Sequence, residues 1–188
     1  MNRREFLTGL SIVPIALHSK PAFAQDSSSS VLQAVNLITD AFWNSLGWFR
    51  RIGAAGERDY LVRGLGRLNR DLFSLEETKR AIVRELARTP TNVSRLRQAG
   101  VDLSSRVAGL RRTLVDLAPR LRSISRGQAD RAIELLQDGL DEKGGLAHAL
   151  SRTNEATREM NLREAQSAVN ALRDCQRVVV RALDILRH

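Results

Sequence analysis

Three histidines, one cysteine and two methionines are all that this 188-residue chain offers for holding a metal or a haem. A structural zinc site of the usual kind draws four ligands from Cys and His, more cysteines than Cys175 alone supplies. A di-metal carboxylate bundle needs Glu-x-x-His units, and no Glu here has a His three residues on. Covalent haem needs Cys-x-x-Cys-His, so Cys175 by itself excludes it, and it equally excludes a disulfide within the chain. His148 and Met160 stand 12 residues apart, about 18 Å along one helix axis. They cannot ligate the same iron, and His188 is the last residue. No cofactor or metal is expected.

Nucleophiles are as sparse. Ser27 to Ser30 form a polar run rather than a nucleophile elbow, and Gly64 and Gly66 fall within a helical pattern rather than a phosphate loop. Lys79 occupies an apolar row, where a buried lysine of lowered pKa could act as a nucleophile. The simpler expectation is a register-setting residue, or one reaching from the rim towards Asp102 across the Pro90 turn. Cys175 sits near the apolar seam of the last segment, where a free cysteine usually behaves as a small hydrophobe. A protein without catalytic chemistry is therefore expected. The alternative is a cofactor carrier or enzyme using Lys79, His148 or Cys175.

The elements that would position these residues are helices. From Val31 onward apolar residues recur at three- and four-residue spacing, and only Pro90 and Pro119 remain. Val31, Val35, Ile38, Phe42, Leu46 and Phe49 share one stripe, which ends at Gly53-Ala54-Ala55-Gly56. Leu61, Leu68, Leu75 and Ile82 form one heptad row of a second segment; Leu65, Leu72, Lys79 and Leu86 form the other. A third carries Leu96, Leu103, Leu110, Leu117 and Ile124, with Val107, Leu114 and Leu121 beside them. The rows then jump, and Ser125 with Gln128 has the spacing of a capping box. After Gly144-Gly145 a last segment from about Leu146 places Leu162, Ala165, Val169, Leu172, Val179, Leu183 and Leu186 inward, with Thr153 and Gln176 on the seam. Short loops between long helices predict an all-α, antiparallel up-down four-helix bundle. It is coiled-coil-like, one long helix is broken near residue 125, and residues 31–188 form the single domain.

The N-terminus differs in kind. Arg3, Arg4, Phe6 and Leu7 precede a short apolar run, and Ala22-Phe23-Ala24 supplies a small-x-small end. These are the parts of a cleavable export signal over residues 1–24, followed by a linker at 25–30. The adjacent arginines followed by Phe6-Leu7 resemble the bacterial twin-arginine export signal, with cleavage after Ala24 set by Ala22 and Ala24. Asn2 and Thr8 stand where that family favours Ser or Thr and Lys. Lys20 fits the family. The resemblance implies export in a folded state to the periplasm or beyond. The apolar run is too short to span a bilayer.

Charge and aromatics point to binding. The chain has 30 basic and 21 acidic residues, and 91–126 holds eight arginines against Asp102 and Asp116. The stretch 127–165 is acidic, with eight carboxylates against five basic residues. A basic face of this kind draws an anionic partner. Export and the lack of aromatics among those arginines argue against nucleic acid. An acidic protein or an anionic envelope surface is expected, and the heptads leave room for a homodimer. All six aromatics beyond residue 24 lie between Phe42 and Phe73, and helical spacing puts Trp43 and Trp48 on either rim of the apolar stripe. Trp43, Trp48, Arg111 and Arg112 are the candidate partner surface, on a periplasmic adaptor, accessory subunit or chaperone-like protein.

Overall fold

The structure, a computed structural model, describes residues 28–53, 55–125, 127–141, 150 and 152–188. The proposed export signal (Arg3, Arg4, Phe6, Leu7, Ala22, Ala24), the Gly144-Gly145 turn and His148 lie outside them. The protein is all α-helical: α1 (Ser28–Phe49), α2 (Ala55–Leu86), α3 (Val93–Ser125), α4 (Gln128–Asp141) and α5 (Glu155–Arg187), with no strand among the described residues. No helix among them is long and apolar enough to cross a membrane.

The heptad rows close the core. Leu61, Leu65, Leu68, Leu72, Leu75, Ile82 and Leu86 of α2 are all buried, as are Leu96, Leu103, Val107, Leu110, Leu114, Leu117 and Leu121 of α3. Burial of each such side chain stabilises the fold by about 2 kcal/mol before entropy is counted. Phe42 stacks on Phe49 with ring centroids 6.2 Å apart and anchors α1.

The direction of the helices follows from their cross-links. Tyr60 Oη donates to the Asp116 carbonyl at 2.5 Å and Thr113 Oγ1 to Asp71 at 2.5 Å, so α2 and α3 run antiparallel. Arg58 Nε donates to the Leu186 carbonyl, and at the other end Arg158 donates to Thr89 at 2.8 Å, so α2 and α5 are antiparallel too. Trp43 lies 5.7 Å from the Arg181 guanidinium, and Thr39 lies beside the Cys175 thiol. These two contacts make α1 parallel to α5.

Two boundaries and one helix pairing differ in detail from the sequence expectation. The break near residue 125 is present, but it is made by Gly127, whose φ of +80° is a left-handed conformation natural to glycine. Arg131 N then donates to the Gly127 carbonyl to open α4. The short helix packs back against α3 and beside α1, so its apolar stripe (Ala129, Ala132, Leu135, Leu136) needs a cover of its own. Covering it draws α1 away from α2, and these consecutive helices pack on different flanks of α5 rather than as a hairpin. The last helix begins at Glu155, not near Leu146, because Asn154 caps it. Its side chain accepts from Thr157 N while Thr157 Oγ1 accepts from Asn154 N. Thr153 thus lies in the preceding turn, where its hydroxyl accepts from Asn161.

Candidate functional site

The α2–α5 seam carries polar chemistry where a bundle would ordinarily be apolar. Glu76 and Lys79 are 2% and 3% exposed. One turn along from the core row, Glu76 turns towards α5. Its carboxylate accepts from Arg173 Nε at 2.7 Å, from Gln176 at 3.0 Å and from Arg80 Nη2 at 2.5 Å. Burial pushes its carboxyl up, but the hydrogen bonds from Arg173, Gln176 and Arg80 outweigh that and hold it below the usual glutamate value. Lys79 is enclosed one residue before Arg80. Burial brings its ammonium down to about 8, opposed by the charge of Glu164 on α5. Its partner is thus on α5 and not Asp102, which instead accepts from Gln98 at 3.0 Å.

Above this cluster lies a cleft of about 470 Å³. Arg80, Arg84 and Arg173 line it, with Val83 and Val169 as an apolar floor and Gln166 and Asn170 along one wall. Its volume is that of a ligand or side-chain pocket. Glu76 neutralises one guanidinium, so positive charge remains in excess. It also fixes the geometry: Arg173 is held through Nε, which leaves its two Nη groups without a hydrogen bond among the described residues. Arg84 makes no ion pair or hydrogen bond there either. Forked donors of this kind suit a carboxylate.

The residues singled out from sequence are placed separately. Trp43 is 56% exposed on α1, its ring against Arg181 in a cation–π contact. Trp48 is half-buried, edge-on to Phe49 at 5.5 Å. Arg112 is exposed on α3, while Arg111 is half-buried with a buried Nε that has no partner among the described residues. No contact joins these arginines to the tryptophans. Cys175 is buried, and burial raises its thiol to about 12, partly offset by Thr39. Its thiolate population at neutral pH is correspondingly minute. Met160 is exposed near the start of α5 and His188 ends the chain beyond it. Among the described residues no three His, Cys, Asp or Glu side chains cluster as metal ligands would.

The cleft was not visible in the sequence because its walls are about ninety residues apart. Its one local signal is Glu76 four residues before Arg80, at the edge of the α2 stripe, facing a helix whose register only the fold supplies. No protein-family model, curated protein or solved structure matches the chain.

Proposed function

We propose that the protein is exported to the periplasm and acts there by binding an acidic partner, as an adaptor, accessory subunit or chaperone-like protein with no catalytic step of its own. The observation that carries this is the α2–α5 cleft, where three arginines converge and Glu76 holds two of them in place. Preorganised guanidinium groups lower the ordering cost of binding a carboxylate. We further infer a bundle built on the antiparallel pairs α2–α3 and α2–α5, with α4 folded back on α3; it departs from the expected up-down four-helix order in that α1 runs parallel to α5. The antiparallel contacts of α2 with α3 and α5 support it.

Export rests on the N-terminal residues. Replacing Arg3 and Arg4 together by lysine should hold the unprocessed chain in the cytoplasm, as cell fractionation and immunoblotting would show; processing at the wild-type level would remove the twin-arginine reading. Binding is tested by recovering the tagged protein from its own periplasm, with mass spectrometry and an absorbance scan of the eluate. One dominant acidic protein in a colourless eluate is expected. Stoichiometric haem or metal would replace this reading with the cofactor carrier or enzyme that uses Lys79, His148 or Cys175.

A further inference from the structure

The basic cleft does not stand alone on its seam. Phe73 lies seven residues before Arg80 on α2, and Val180 seven residues after Arg173 on α5. Seven residues are two helical turns, so each apolar residue shares a stripe with its arginine, about 10 Å along the axis. Because α2 and α5 are antiparallel, both steps lead in the same direction. Phe73 is 53% and Val180 42% exposed, two of the few large apolar side chains left in water. The seam therefore presents spare guanidinium donors at one end and an uncovered apolar pair two turns away.

We propose that this seam docks an acidic amphipathic helix of a partner protein, with a carboxylate in the cleft between Arg84 and Arg173 and a large apolar side chain two turns along on Phe73 and Val180. This rests on the binding reading above and names the partner's chemistry. Charge complementarity selects the acidic end, since among the described residues Arg84 pairs with no carboxylate and Arg173 meets one only through Nε, at Glu76. The two-turn spacing on both rails selects a helix, whose own side chains repeat at three, four and seven residues and seat in a groove between two others. A small anion would use the cleft and leave Phe73 and Val180 uncovered. Arginine and aromatic residues at a groove centre are also the usual anchors of such contacts.

The test uses the full chain without its signal and a fluorescein-labelled, amidated helical peptide of about 18 residues, long enough to hold a helix. It carries one Glu and one Leu seven apart on an alanine-rich frame; companion peptides carry Gln or Lys in place of the Glu. Fluorescence polarisation should show the Glu peptide binding at least about tenfold more tightly than the Gln peptide, with the difference lost at high salt. Arg84→Glu should weaken the Glu peptide by a similar factor and gain affinity for the Lys peptide. Phe73→Ser should weaken all three, and Val101→Ser, an exposed change on α3, none. Circular dichroism confirms that each variant is folded. Equal binding of the Glu and Gln peptides, or of either to wild type and Arg84→Glu, would overturn the proposal. So would perturbation of the cleft by decanoate with no peptide binding, which would make it a small-amphiphile site. A periplasmic partner retained by Arg84→Glu would leave the binding reading standing and move the contact elsewhere.

Discussion

Lys79 holds a position that the rest of its row gives to leucine, and the cost of that choice depends on pH. Its folded pKa of about 8 lies below the ordinary lysine value of 10.5. Between those values the unfolded chain binds a proton that the native chain has released. Stability should therefore rise from pH 8 to pH 10.5, by up to about 3 kcal/mol, as the buried charge is neutralised. Lys79→Met should be more stable than wild type at pH 7 and should lack this rise relative to it; urea melts of both chains at pH 7.5 and pH 10 would measure the difference. A Met variant that tracked wild type at both pH values would mean that the ammonium reaches water. Heptad counting places Lys79 on the seam, but the choice of Glu164 over Asp102 as its neighbour needs the register of α5. Nothing local to residue 79 encodes that register.

Among the elements, α2 owes its approach to α3 to one missing side chain. Gly64 faces Leu117, and a Cβ built there would overlap Leu117 Cδ2 and come within 3.2 Å of its Cγ, in a fully buried site. Two residues on, Gly66 has nothing within 4 Å of such a Cβ. The same substitution should therefore have opposite signs. Gly64→Ala should destabilise by about 1–3 kcal/mol through overpacking, and Gly66→Ala should stabilise by about 0.5–1 kcal/mol through helix propensity. Thermal melts of the two single variants decide the matter, and a stabilising Gly64→Ala would show that the helices can part without loss. The helical segments themselves were legible, since the rows of α2 and α3 are the rows that are buried. Gly64 was legible only as part of a helix, because its role belongs to the facing strip of α3. The break before α4 was visible in the jump of the rows, although the residue that makes it is Gly127 rather than a Ser125 cap.

Across the whole molecule, Glu76 ties the first half of the chain to the last. Its carboxyl is held below the ordinary value, so its contribution is present above the unfolded glutamate pKa. That contribution is lost as pH falls through the lower folded value. Glu76→Ala should cost about 2 kcal/mol at neutral pH, at the modest end for breaking a buried ion pair because Arg80 and Arg173 remain half in water. It should also blunt the loss of stability below about pH 4 relative to wild type. Urea midpoints at pH 7 and pH 3.5 test both parts. An unchanged pH 7 midpoint would show that the arginines hold the seam without it. The charge asymmetry along the sequence drew attention to the arginines of α3, yet the convergence of basic groups occurs between α2 and α5, which were unremarkable taken singly.

The placement of α5 bears on when this protein can fold. It lines both α1 and α2, yet its 33 residues are the last described helix to be synthesised. Until they leave the ribosome, the apolar stripes of α1 and α2 have no cover on that side, so the bundle cannot close before α5 is made. Folding waits for α5 and is completed when Arg173 and Gln176 reach Glu76. A chain cut short before Glu155 would leave its α1 and α2 stripes open to proteases.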